Sequence, residues 1–188
     1  MAAFAICKIQ FKGQKKLLSY FLTGLMIPLQ VCLLPLYLTF SKLGWTDSFA
    51  GVILPQIAFR FPYTIYLFTN FFRFLPDDVL ESCVLDGCSP MRMFASIVVP
   101  MSKNVFLTLA IMNGIFCWNE FLFAYTFTSS KKLQTITLGL RDFVGMYGAT
   151  DWGRTFTTIA LTIIPTLFIY FFLSKYMLAG MTDGAVKG

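Results

Sequence analysis

Histidine is absent from this 188-residue chain, and charge is scarce, with Asp, Glu, Lys and Arg together at 13 %. Without histidine there is no Ser-His or Cys-His couple, no imidazole metal ligand and no imidazole proton relay. The five cysteines (Cys7, Cys32, Cys83, Cys88 and Cys117) are odd in number and follow no zinc spacing. They read as small apolar packing residues. A G-x-S-x-G nucleophile turn and a G-x-x-x-x-G-K-[ST] nucleotide loop are also missing. No metal, cofactor or catalytic constellation is therefore expected. A soluble domain usually carries about a quarter charged residues, so this composition argues against one. The net charge is +6. However, no Lys/Arg block interleaves with aromatics to follow a phosphate backbone, so nucleic acid is not an expected partner.

What the chain does have is oil. Hydrophobic residues make up 57 %, Phe alone occurs 22 times, and the mean hydropathy is +0.71. This composition points to membrane lipid as solvent. Crossing a bilayer takes about 20 helical residues. Four segments qualify as expected spans: 17–40, 49–72, 104–127 and 155–176. Pro28, Pro35, Pro55, Pro62 and Pro165 interrupt three of them. In a packed bundle such prolines act as kinks, because neighbouring groups satisfy the freed carbonyls. The expected fold is an all-α transmembrane bundle.

Basic residues orient it. Lys8, Lys12, Lys15, Lys16, Arg73, Arg92, Lys103, Lys175 and Lys187 fall on one side, and Lys42, Lys131, Lys132, Arg141 and Arg154 on the other. This bias puts both termini and the loop 73–103 in the cytoplasm, and the loop 128–154 outside. The opening MAAFAICKIQFKGQKK is too short for a cleavable signal peptide. It looks like the last turns of a helix.

The loop 73–103 holds the densest polar signal. Asp77, Asp78, Glu81 and Asp86 are four of the nine acids in the chain. Asp78 and Glu81 have capping-box spacing, which starts a short helix near Asp78. Acids in the first turn also suit the helix dipole. Gly87 permits a tight turn, where any added side chain is expected to collide. Pro90 suits the first turn of a second helix. Met93, Phe94, Ile97 and Val98 give that helix an apolar stripe, and Pro100 is expected to end it. The product is a helix–turn–helix elbow. Ordinary capping and turn chemistry alone accounts for Glu81 and Gly87.

At this point the chain resembles a family. Glu81, Gly87, Ile97 and Pro100 stand at the spacing of the E-A-A-x-x-x-G-x9-I-x-L-P motif in the membrane subunits of bacterial ABC importers. Asp86 matches the common D-G form. Ser82 and Cys83 replace two alanines, and Val99 replaces leucine. FKGQKKL at 11–17, IPLQVCLLPLYLTFSKLGW at 27–45, FFRFLPDDVLES at 71–82, WNEF at 118–121 and the tail GMTDGAVKG are similar to the maltose-permease branch.

The resemblance implies a permease subunit of an ATP-driven carbohydrate importer in the bacterial cell membrane. Its implied partners are a second permease subunit, two ATPase subunits and an extracytoplasmic sugar-binding protein. Residues 1–188 are then a single transmembrane domain. The family usually has six spans, which implies an incomplete N-terminus. The elbow is the implied coupling loop, with Glu81, Ser82, Cys83, Asp86, Gly87, Ile97 and Pro100 at the ATPase contact. The tail from Asp183 is implied to reach between the ATPase subunits.

Trp118, Asn119 and Glu120 lie late in the third expected span. A carboxylate there faces the bundle interior or water. These residues read either as an interfacial packing group or as a gate or sugar-lining position. Arg60, inside the second span, needs a partner, and Glu120 is a candidate. Asn70 and Asn113 read as interhelical hydrogen-bonders. Two alternatives stay open. One is a non-functional or partial remnant of such a permease. The other is an ion- or proton-coupled secondary carrier, for which Glu120 is the one acid clearly within a span.

Overall fold

The computed structural model describes residues 1–143 and 150–182 of the chain. In chain order the α-helices are α1 (Ala2–Lys8), α2 (Gln14–Thr23), α3 (Leu29–Lys42), α4 (Phe49–Phe72), α5 (Asp77–Leu85), α6 (Pro90–Met93), α7 (Val99–Met101), α8 (Lys103–Trp118), α9 (Leu122–Phe127), α10 (Ile136–Gly139) and α11 (Trp152–Thr182). A π-helix, Phe94–Val98, joins α6 to α7. The expected outer loop is described only in part, and the tail from Asp183 lies outside the described residues.

Pro28 stands at the 94° break between Gln14–Met26 and α3, but the other four prolines of the expected spans do not end their helices. α3 runs through Pro35, α4 through Pro55 and Pro62, and α11 through Pro165. The expectation of four spans needs correction. Among the described residues only Trp152–Phe172 is both long and apolar enough by itself. Two further candidates are broken pairs: Gln14–Met26 with Leu29–Lys42, and Pro90–Met101 with Lys103–Trp118. The count is thus one to three by length and composition. α4 has the length, at 24 residues, but Gln56, Arg60, Thr64 and two prolines dilute its apolarity. The third expected span also ends early: α8 stops at Trp118, and α9 restarts at Leu122.

The chain divides into two compact units. The first is built on Met1–Met26 and Phe61–Ile111. Its core gathers Phe4, Ile65, Phe72, Leu80, Cys83, Met93 and Val98. Phe4 meets Phe72 edge-on at 6.3 Å and Phe94 at 5.6 Å. Burying a side chain of this size contributes about 1.5–3 kcal/mol, so the apolar start of the chain anchors this core. Gly24 lets α2 approach α4, since a Cβ there would stand 2.7 Å from Pro62 Cγ. At Ser102 the chain turns 78° between α7 and α8. The Ser102 amide is shared between the carbonyls of Val98 and Val99, and its carbonyl between the amides of Val105 and Phe106. Its hydroxyl is buried without a hydrogen-bond partner among the described residues.

The second unit is built on Ile27–Arg60 and the described residues of Met112–Ser174. Phe40, Phe123 and Phe127 form its core, with Leu33, Leu36 and Phe59 against it. α3 ends in a left-handed Gly44, with Gly44 N–H to Ser41 O and Trp45 N–H to Phe40 O. The rings of Phe40 and Trp45 seal that ending edge-on at 5.6 Å. Asp47 then ties two loops together. Its amide donates to Phe127 O at 2.6 Å, and its Oδ1 accepts from Ser129 N at 2.9 Å and Ser130 N at 2.8 Å. Asn113 was expected to bond across helices, but its Oδ1 is buried without a partner among the described residues.

Candidate functional site

The elbow in the first unit is built around α5. Pro76 is its N-cap, with no side-chain capping bond. The helix therefore starts one residue before Asp78, and the expected capping box does not form. Glu81 is instead exposed, in the second turn of the helix. Asp77 and Asp78 occupy the first turn, where their charge favours the helix dipole. Lys8 fixes this end. Its ammonium donates to Leu75 O at 2.8 Å and pairs with Asp77 Oδ1 at 2.6 Å.

Leu80 and Cys83 turn inward to the core, and the opposite face carries Glu81, Ser82, Val84, Leu85 and Asp86. Ser82 Oγ donates back to Asp78 O at 2.8 Å. Leu85 is 88 % exposed, Val84 60 % and Met91 62 %. An open groove of about 840 Å³ beside this face is lined by Lys8, Arg73, Glu81, Leu85 and Met93, among others.

Gly87 ends α5 at φ +76°, with its amide on Val84 O at 2.9 Å and the Cys88 amide on Cys83 O at 3.0 Å. Both bonds define a glycine C-terminal motif. The expected collision at Gly87 is corrected: a Cβ there would meet nothing within 4 Å. The requirement for glycine is conformational. A hydrogen bond with the Cys88 thiol, and after it burial, push the Cys83 thiol above its ordinary pKa.

The second arm begins as expected, with Pro90 in the first turn and Ser89 Oγ accepting from Arg92 N. Met93 and Val98 are buried, while Phe94 and Ile97 are half-buried. Pro100 does not end this arm. It lies exposed within α7, after the π-helix, and the corner falls at Ser102. A π-turn ahead of a proline loosens the ladder that the ring would otherwise strain.

The second unit holds the other predicted residues. Arg60, Asn119 and Glu120 line one cavity of about 410 Å³, together with Gln56, Phe59 and Phe116. The Arg60 guanidinium stands over the Phe116 ring at 3.6 Å. Glu120 was expected within the third span; it stands instead in the break between α8 and α9. Its Oε1 accepts from Phe123 N at 2.6 Å and its Oε2 from Ala124 N at 3.1 Å. The carboxylate thus caps the first turn of α9, which offsets its burial. Its backbone carbonyl accepts from Thr137 Oγ1 at 2.6 Å. Asn119 closes the end of α8 by donating to Ile115 O at 2.8 Å. Trp118 stands apart from this cavity lining and donates its indole N–H to Thr162 O in α11 at 3.0 Å.

Sequence reasoning missed Lys8, Asp47, Gln56 and Phe116. Asp47 carried a faint signal, as an acid between Thr46 and Ser48 just ahead of a helix. Its carboxyl is held below the ordinary range by the Ser130 and Ser129 amides.

Comparison with known proteins places the chain as a whole in a family. A family profile described as "Binding-protein-dependent transport system inner membrane component" matches residues 1–182. A putative ABC transporter permease protein of Caldicellulosiruptor sp. (strain Rt8B.4) is 36 % identical over all of this chain and 68 % of its own length. A probable ABC transporter permease protein of Bacillus subtilis is 35 % identical, again over the whole chain but 62 % of its own length. The trehalose/maltose transport system permease protein of Thermococcus litoralis is 31 % identical over 68 % of its length. The chain thus spans roughly two thirds of these relatives.

Proposed function

The chain belongs to the family of binding-protein-dependent transport system inner membrane components, and from that premise we propose that it is the permease subunit of an ATP-driven carbohydrate importer. The observation that carries the reading is the outward face of α5. Glu81, Ser82, Val84, Leu85 and Asp86 project from a short helix held from below by Leu80, Cys83 and Lys8. An elbow pinned to its core on one side and bare on the other is suited to rigid-body transmission through an interface. In this proposal an ATPase subunit binds that face. The hydrolytic work belongs to two ATPase partners, and this chain pairs with a second permease subunit. An extracytoplasmic binding protein delivers the sugar. The chain is multi-pass, with both termini and the elbow cytoplasmic.

The cavity of Arg60, Asn119, Glu120 and Gln56 adds support. Its aromatic walls and convergent polar groups suit a hydroxylated substrate. Names of relatives favour the same class: trehalose/maltose, and arabinooligosaccharides for a 32 % identical permease of Bacillus subtilis. The test is reconstitution with the partner subunits. Leu85→Asp is expected to abolish ATPase co-purification and binding-protein-dependent uptake while leaving the chain in the membrane. Full uptake by that variant would overturn the proposal.

A further inference from the structure

Cys83 and Cys88 are brought together by the way α5 ends. The Cys88 amide bonds to the Cys83 carbonyl at 3.0 Å, around the left-handed Gly87. In such endings the side chains of these two positions come into contact, usually as an apolar pair. Phe40 and Trp45 fill that role at the end of α3. At the end of α5 the pair is two thiols, both free. Cys83 is 4 % exposed, and Cys88 is half-buried against the same core.

We propose that Cys83 and Cys88 form a reversible dithiol–disulfide site that staples the end of α5. The oxidant is a small-molecule disulfide, and the chemistry is thiol–disulfide exchange. Cys88 is the more accessible of the two and reacts first. Its thiolate attacks one sulfur of the oxidant, whose S–S bond breaks and releases one thiol. Cys83 then loses its proton and attacks Cys88 Sγ, displacing the second half of the oxidant, which takes up a proton. Two protein thiols are oxidised by two electrons, and one oxidant disulfide becomes two thiols. The closed ring contains Asp86 and Gly87, so it fixes the surface beside them. The site stands on the helix ending alone and does not depend on the transport reading.

The test uses the full chain in lipid vesicles, equilibrated with mixtures of reduced and oxidised glutathione. After quenching with an alkylating reagent, trypsin cleaves after Arg73 and Arg92, giving a peptide that holds Cys83 and Cys88 and no other cysteine. The expected product of oxidation is that peptide without either alkyl group and lighter by two hydrogens. Cys7, Cys32 and Cys117 should still alkylate. Cys88→Ser is expected to keep Cys83 alkylated throughout. Independent alkylation of both cysteines, or a glutathione adduct held on Cys88 with Cys83 still free, would overturn the proposal.

Discussion

Replacing Glu120 tests whether its carboxylate caps α9. Its two oxygens accept the Phe123 and Ala124 amides in the first turn of α9. Losing such a cap costs about 0.5–2 kcal/mol, and bonds to a charged group lie at the upper end of hydrogen-bond values. For this half-buried pair we take about 1.5 kcal/mol for Glu120→Ala, roughly a tenfold change in an equilibrium constant. Glu120→Gln keeps one acceptor and should lose about half of that. The effect reaches further than the six residues of α9, because Phe123 and Phe127 hang from it in the core of Phe40. Denaturant unfolding of the chain in detergent, followed by tryptophan fluorescence, should rank wild type above Gln above Ala. Sugar uptake by the assembled transporter should follow the same order. An Ala variant within about 0.5 kcal/mol of wild type, the range of an idle surface change, would refute the capping argument.

Three further outcomes are expected. Gly51→Ala should destabilise more than Gly87→Ala in thermal unfolding, because its Cβ would stand 2.6 Å from the Trp45 carbonyl while Gly87 has open space. Gly87→Ala carries only the left-handed penalty of about 1–2 kcal/mol. The folded-state pKa of Asp47 is depressed by the Ser130 and Ser129 amides, so its contribution is full above the ordinary carboxylate range. It is lost as pH falls through the lowered value. Hydrogen exchange of the Ser129 and Ser130 amides, corrected for intrinsic rate, should lose protection in that acid window, and Asp47→Ala should lose it at neutral pH. Phe116→Leu should weaken the seat of Arg60 by about 0.5–2 kcal/mol, seen as reduced stability with the chain still inserted.

The elbow was legible because its signals are local. Gly87 needs a left-handed backbone, Pro90 needs a first turn, and the Met93-to-Val98 stripe needs a core, and each stands within a few residues of its cause. The start of α5 was misread because Pro76 displaces the cap by its own fixed φ, and because Lys8 secures Asp77 from 69 positions away. Pro100 was misread as a stop because a π-turn ahead of it cannot be inferred from hydropathy. The break after Trp118 was hidden by flanking apolar runs, although Trp118, Asn119 and Glu120 form a polar step. That Arg60, Asn119 and Glu120 share a cavity depends on packing between α4 and the 119–123 turn, and no spacing encodes that.

The corner at Ser102 has a consequence for how the chain turns without water. A 78° turn in a helical chain would normally strand donors and acceptors that need water. Here the Ser102 amide and carbonyl each serve two partners at 3.0–3.2 Å. Either can trade one partner for the other without becoming bare. The corner thus strands neither the amide nor the carbonyl of Ser102, and of the serine's own polar groups only the hydroxyl is buried without a partner among the described residues. The arm α6–α7 therefore leaves α8 at a steep angle while keeping its backbone bonded in a dry corner, with Val98 and Ser102 fully buried.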